Sequence, residues 1–326
     1  MEERSLSVVT PVYNGEASVA ELCRRLGEVL PQVAAQHEII LVNDGSRDRS
    51  WEVISELSSR LPTVRGLNLM RNYGQHNALL CGIRAAKYEV IVTIDDDLQH
   101  PPEEVPRLLT RLDEGFDVVY GTPESERHGA LRSLGSRVTR LALSMVLGRE
   151  LAKNVSAFRM FRTRLRDAFA DYQSPFVSID VLLTWATTRI SAINVAFQRR
   201  HSGSSTYTFG KLLRHALDMM TGFSTLPLQV ASLIGFSCTL FGIAILIYVV
   251  GRYLLEGSIP GFPFLASIIA IFSGAQLFAL GVIGEYLARM HFRMMNRPVY
   301  TVRNISEERT TLAGRADDRT TRFGGA

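Results

Sequence analysis

Three cysteines in 326 residues, Cys23, Cys81 and Cys238, are too few and too scattered for a disulfide framework. None sits in a CxxC pair, so no zinc site is expected from them either, and a reducing compartment suits the chain. Excess positive charge is also scarce: 36 Lys and Arg face 32 Asp and Glu, a formal net charge of +4. Nucleic-acid binding needs concentrated basic surface to neutralise many phosphates, so it is not expected as a partner. The first residues hold only a short apolar run with no cleavage-like end, and no export signal is read there. Most telling is where charge is missing altogether. No Asp, Glu, Lys or Arg occurs between Thr221 and Gly251, nor between Gly257 and Gly284.

A bilayer crossing takes about 20 apolar residues, and each uncharged run exceeds that length. Only Arg252 and Glu256 lie between them, beside a turn bearing Gly and Pro from Gly257 to Pro263, so a helical hairpin is expected, with spans at 224–252 and 262–288. Lys211, Arg214 and His215 precede the first span; Arg289, Arg293, Arg297 and Arg303 follow the second. Basic flanks stay on the cytoplasmic side, which puts both ends of the chain in the cytoplasm and the hairpin in the cell (inner) membrane as a multi-pass anchor. Within 208–223, Phe209, Leu212, Leu213, Ala216, Leu217 and Met220 share one helical face, the pattern of an interfacial helix resting on membrane lipid. After Asn304 the sequence turns polar and rich in Gly, Arg and Thr, and a partly disordered tail is expected within 289–326.

The first 207 residues read differently. Apolar, β-branched runs at Leu6 to Thr10, Ile39 to Val42, Val64 to Leu69, Val90 to Ile94 and Val118 to Tyr120 alternate with amphipathic stretches. In one of these, Glu16 to Val33, the residues Val19, Leu22, Leu26, Val29 and Leu30 form a single face. This rhythm predicts an α/β domain with a mostly parallel sheet, whose ligands gather at the carboxyl ends of the strands. Polar clusters stand at those ends: Pro11 to Asn14, Asn43 to Ser46 and Asp95 to Asp97.

Three adjacent acids at a strand end repel one another unless a hard cation shares their charge with substrate phosphates. If the backbone stays extended, Asp95 and Asp97 point the same way, Gln99 adds a neutral oxygen, and Asp96 faces elsewhere. Asp95, Asp97 and Gln99 are therefore the candidate ligands for Mg²⁺ or Mn²⁺. The alternative is a solvated acidic turn capping the next helix. Asp44 can accept hydrogen bonds from a base or ribose beside a turn made by Gly45, and Tyr13 and Asn14 can pack on and bond to a base. Asp48 and Ser50 are read as helix caps. Arg127, Arg132 and Arg200 are candidate phosphate clamps, since the guanidinium fork is always charged and donates bidentately.

At these residues the chain resembles the family 2 inverting glycosyltransferases of GT-A fold, in the branch that acts on polyprenyl phosphates. The likeness rests on Val9-Thr10-Pro11-Val12-Tyr13-Asn14, Asn43 to Ser46, Arg71 to His76, Asp95 to Pro102, Ser156 to Arg159 and a terminal hairpin with Gly284-Glu285-Tyr286. It implies a Rossmann-like nucleotide-diphospho-sugar transferase domain and a nucleotide-diphosphate sugar as donor. The acceptor it implies is polyprenyl phosphate, specifically the undecaprenyl form, with possession of a metal site and a homo-oligomeric assembly as further expectations. Pro11, Tyr13, Asn14, Glu16, Asp44, Asp95 and Asp96 are expected to serve the nucleotide and Asp97 and Arg132 catalysis; the resemblance gives Arg132 and Arg200 the acceptor phosphate, and Arg127 is added to them by its position. The chain departs from the pattern at Asn14-Gly15-Glu16, where Asn-Glu is usual, at Lys153, where relatives carry an aspartate, and at Ser205-Thr206-Tyr207, where a relative reads Ser-Lys-Tyr. Two other readings remain open: a processive glycan synthase, which usually carries Gln-x-x-Arg-Trp and more spans, and a non-catalytic membrane scaffold or flippase partner.

Overall fold

A computed structural model describes residues 4–123, 144, 152, 154–174, 177–198, 221, 224–256, 261–295 and 298–306. Eight strands form one sheet in the order β7-β5-β6-β4-β1-β2-β3-β8. The strands are β1 Ser5–Val12, β2 Gln36–Asn43, β3 Val64–Leu69, β4 Val90–Thr93, β5 Val118–Pro123, β6 Arg159–Arg162, β7 Ile190–Val195 and β8 Val302–Ser306. Among them run helices α1 Val19–Val33, α2 Ser50–Arg60, α3 Gln75–Ala85, α4 Val105–Asp113 and α5 Ile179–Ala186. The long helices α6 Leu226–Glu256 and α7 Phe262–Met294 follow.

The middle of the sheet, β4-β1-β2-β3, is parallel throughout. Its strands are apolar on both sides, as a sheet covered on both faces requires. Alternation sends Val8 and Val12 of β1, Ile39 and Leu41 of β2, and Val90 and Val92 of β4 into one core with α1 and α4. Val9, Ile40, Val42 and Ile91 enter the other core with α3 and α5. The face read from the sequence of α1 is the buried one: Val19, Leu22, Leu26 and Leu30 are fully enclosed and Val29 nearly so. Each such side chain is worth roughly 1.5–3 kcal/mol against exposure. Cys23 and Cys81 lie in these cores, where burial pushes both thiols up to about 12, so neither supplies a thiolate near neutral pH.

All five strands read from the sequence are present, and three more join them. β6 runs antiparallel between β4 and β5. β8 pairs antiparallel with β3, Leu67 opposite Ile305, so the sheet's last strand is supplied from beyond the hairpin. The segment 289–326 was expected to be tail, yet strand pairing continues two residues past Asn304, to Ser306.

The order places β1 at a reversal: β2 and β3 extend the sheet to one side, and β4 returns to the other. Such a switch point opens a crevice beyond the carboxyl ends of the two strands that flank it, here β1 and β4.

The helices α6 and α7 contain stretches of 30 and 24 residues with mean hydropathy 2.5 and 1.4, whose most apolar windows are not buried. Both outrun the expected spans, α6 carrying Arg252 and Glu256 on its last turns. Tyr286 Oη donates to the Ser224 carbonyl at 2.5 Å, tying the end of α7 to the start of α6. The expected interfacial helix over 208–223 lies outside the described residues apart from Thr221, as do Lys153 and Ser205 to Tyr207.

Candidate active site

A cavity of about 240 Å³ opens at the switch point, lined by residues from four strand ends: Pro11 to Tyr13 at the end of β1, Asp44 after β2, Asn72, Gly74 and Gln75 after β3, and Asp95 to Asp97 after β4. Six of the residues singled out in the sequence meet there: Pro11, Tyr13, Asp44, Asp95, Asp96 and Asp97.

Asp44 is almost fully buried and is held by backbone. Its two carboxylate oxygens accept from Tyr73 N–H at 2.7 Å and Gly74 N–H at 2.8 Å. Burial raises its pKa above the usual carboxylate value, the two backbone hydrogen bonds opposing that rise. Gly45 makes the turn beside it with φ +65, and a Cβ there would fall 2.5 Å from the Arg71 carbonyl carbon. Only glycine meets both demands without strain. Asp44 thus shapes the 71–74 loop, and the Arg71 guanidinium lies 4.6 Å from the Tyr73 ring.

The acidic segment does not continue as a strand. β4 ends at Thr93, the chain turns at Asp96 and Asp97, and Leu98 adopts φ 59, a left-handed conformation uncommon for a leucine. Alternation therefore fails beyond the strand, and the three expected metal ligands do not all line the cavity. Asp95 and Asp97 line the cavity, while Gln99 does not; its N–H donates to Asp97 Oδ1 at 3.1 Å and its carbonyl accepts from Gln198 N–H at 2.8 Å. Asp95 Oδ1 accepts from Gln75 Nε2 at 2.7 Å, linking the acidic turn to the N-terminus of α3. Asp96 turns towards the first loop, where a Cβ on Gly15 would stand 1.9 Å from its Oδ2. Glycine at position 15 leaves the room that this carboxylate occupies.

Asn14 and Glu16 do not line the cavity. Asn14, at φ 55, accepts from Arg47 N–H at 2.9 Å, and Glu16 accepts from Arg49 N–H at 2.9 Å. Asp48 and Ser50 are drawn into the same lacing: Glu16 N–H donates to Asp48 at 3.2 Å, Gly15 N–H to Ser50 Oγ at 2.9 Å. These side chains clamp the loop after β1 to the loop after β2. Asp48 also accepts from the Ser50 N–H at 3.1 Å, at the start of α2.

Asn72, Gly74 and Gln75 entered the cavity without having been assigned a role from the sequence. The signal was there: they follow the third strand at the same sheet edge, but none is charged. Beneath the site, Thr93 at the end of β4 receives Arg159 Nε at 3.0 Å and donates to the Ala157 carbonyl at 2.8 Å. Arg159 is itself paired with buried Asp180, which also accepts from Tyr120 Oη at 3.0 Å. This network fixes the strand from which the acids project.

The cavity's donor set is all oxygen, as a hard divalent cation prefers. Among the described residues no three of His, Cys, Asp and Glu converge to form a complete cage. A cation that bridges to substrate phosphates needs only one or two carboxylates, with phosphate and water oxygens completing the shell, so Asp95 and Asp97 fit that role. Arg127, Arg132 and Arg200 lie outside the described residues.

The profile of "Glycosyl transferase family 2" matches residues 7–171, the span that carries this cavity and its supporting strands. Over 318 residues, 96% of each chain, the sequence is 33% identical to undecaprenyl-phosphate 4-deoxy-4-formamido-L-arabinose transferase of Shewanella sediminis. It is 34% identical to the protein of the same name from Pseudomonas paraeruginosa over 304 residues, 92% of this chain and 90% of the other. Among solved structures, glucosyl-3-phosphoglycerate synthase of Mycobacterium tuberculosis, in complex with Mn²⁺, UDP and glucosyl-3-phosphoglycerate, superposes with a TM-score of 0.50 at 20% identity. That match covers 67% of this chain and 79% of the other, a likeness of fold. With the family profile laid over the sheet and its acidic turn, and relatives aligned along nearly the whole length, the chain belongs to glycosyl transferase family 2.

Proposed function

We propose that the protein transfers a sugar from a nucleotide-diphosphate sugar to the phosphate of undecaprenyl phosphate, giving a polyprenyl-phosphate monosaccharide with an inverted anomeric centre. The observation that carries this is the meeting of Asp44, Asp95, Asp96 and Asp97 with the 72–75 loop in one cavity at the sheet's switch point. The names of the full-length relatives supply the acceptor class.

Tyr13, 45% exposed at the rim, offers its ring to the nucleotide base. Asp44 keeps the 73–74 backbone in place below it. Asp95 and Asp97 would hold Mg²⁺ or Mn²⁺, which would supply charge neutralisation for the departing nucleotide diphosphate. Arg127, Arg132 and Arg200 grip the acceptor phosphate in this reading, on the strength of the family resemblance. An acceptor phosphate is already largely ionised near neutral pH, its second pKa being about 6, so it attacks without a side-chain base. Lys153 in the place of an aspartate is compatible with that. The phosphate oxygen forms the new bond to the anomeric carbon as the bond to the nucleotide diphosphate breaks, and a single displacement inverts the centre. Orientation of the two substrates contributes much of the acceleration.

The hairpin anchors the domain in the inner membrane with its basic flanks, and the sheet domain, in the cytoplasm. The test uses the full chain in liposomes with undecaprenyl phosphate and a panel of radiolabelled nucleotide sugars. One sugar should enter the organic-extractable fraction as a single residue per lipid, and Asp97→Ala should lower the rate about 100-fold or more. Label that enters without the lipid phosphate, or equal rates for the variant, would refute the proposal; lengthening chains would indicate a processive synthase.

A further inference from the structure

A second cavity, about 340 Å³, lies where the hairpin meets the sheet domain. Its volume falls in the range of small-molecule sites, about 300–1,000 Å³. One wall is the sheet-side end of the hairpin: Ser224 and Thr225 before α6, Arg289 and Arg293 near the end of α7. The other wall includes Tyr172 and Trp185 of the sheet domain, whose rings meet edge to face at 5.7 Å.

We propose that this cavity holds the headgroup of an anionic glycerophospholipid of the surrounding membrane, a lipid that takes no part in the reaction. The inference rests on the hairpin lying in a bilayer. Arg289 and Arg293 are four residues apart and share a helix face, where two guanidinium groups can fork a phosphodiester. Arg289 already has its charge matched, its Nε and Nη2 reaching Glu285 at 3.0 and 2.8 Å, and its side chain is only 11% exposed. Arg293 is exposed, and among the described residues no carboxylate pairs with it. The cavity thus carries one unmatched positive charge, the complement of a single phosphodiester. The hydroxyls of Ser224 and Thr225 add donors, and Trp185, 54% exposed, is the kind of side chain that settles at headgroup depth.

The position separates this lipid from the acceptor. Gln75, at the first turn of α3, lines the active-site cavity. Arg84, in the last turn of the same helix, donates to the Ala170 and Tyr172 carbonyls at 2.8 Å and so braces the wall of the second cavity. Nine residue steps along the helix, at about 1.5 Å each, put roughly 14 Å between Gln75 and Arg84. The second cavity is thus braced from the end of α3 opposite the one that meets the acidic turn.

Native mass spectrometry of the full chain, released from vesicles holding equimolar phosphatidylglycerol and phosphatidylcholine, tests this. The wild type should retain phosphatidylglycerol about fivefold over phosphatidylcholine. Arg293→Gln should bring the two to parity with transfer activity in detergent unchanged, and Arg293→Lys should keep part of the preference. Equal enrichment in Arg293→Gln, or none in the wild type, overturns the inference. Loss of the lipid to millimolar inorganic phosphate would make this a free-anion site. One-for-one displacement by undecaprenyl phosphate, with a raised acceptor KM in Arg293→Gln, would assign it to the acceptor instead. Failure of the protein to float with vesicles would refute the membrane reading and this inference with it.

Discussion

The sheet domain and the hairpin use the same apolar residues in opposite ways. In the sheet domain most Val, Ile and Leu lie in the core: Val8, Ile40, Leu41 and Val92 are wholly enclosed. In the hairpin Leu240, Ile247 and Leu277 are 53%, 68% and 69% exposed. Water cannot be the solvent for both. An apolar surface this extensive on a monomer marks a partner or a membrane, and the two stretches have the length and the lack of charge that a bilayer selects. In the sheet domain, polar residues from four strand ends meet at one edge and form a site.

Charge placement breaks or sharpens that contrast. Arg159 is a charge buried in protein but paired with Asp180 and bonded to Thr93. Arg159→Ala leaves Asp180 without its cation and should cost about 3–5 kcal/mol of sheet-domain stability, read by chemical denaturation in detergent. Leu240 lies near the middle of α6 and is already half exposed. In water Leu240→Arg would be close to neutral, within about 0.5 kcal/mol. In a bilayer it should disfavour insertion by roughly 2.5–3.5 kcal/mol, measured as the membrane-inserted fraction, with the sheet domain's unfolding midpoint unchanged.

Smaller effects belong to the site. Gly45→Ala sets a side chain at φ +65 against the Arg71 and Asn72 backbone. It should cost at least about 1–2 kcal/mol and raise the donor KM more than the acceptor KM. The smallest concerns pH. Burial raises the pKa of Asp44, so the folded chain holds that proton more tightly than the unfolded chain. Stability from Asp44 is therefore greatest below the ordinary Asp value and declines as pH rises through the raised folded value. Asp44→Asn should remove that decline from the pH dependence of stability, and a steeper decline in the variant would contradict the assignment.

The five strands legible in the sequence announced themselves by β-branched, apolar runs such as Ile39 to Val42 and Val90 to Ile94. β6 was hidden because Arg159 and Arg162 close both its ends, and only the pairing with Asp180 explains a buried arginine there. β8 was hidden by distance, since its partner β3 lies on the far side of the hairpin in sequence. Within the site, residues directly after a strand were legible because strand direction dictates where they go. Gln99 does not join Asp95 and Asp97 at the cavity, because the period of two was carried past Thr93, where the turn and left-handed Leu98 end it. Asn14 follows the family pattern and Glu16 departs from it by one inserted residue, yet the side chains of both are spent on the backbone of the neighbouring loop. Asn72, Gly74 and Gln75 carry no charge to announce them, although they occupy the same edge.

Calorimetric titration of a nucleoside diphosphate into the full-length protein probes the acidic turn directly. Tight binding is expected with Mn²⁺ or Mg²⁺, weakened at least tenfold by chelation, and equally by Asp95→Asn with Asp97→Asn. Affinity that is unchanged in the presence of chelator, or in the doubly substituted protein, would contradict the account.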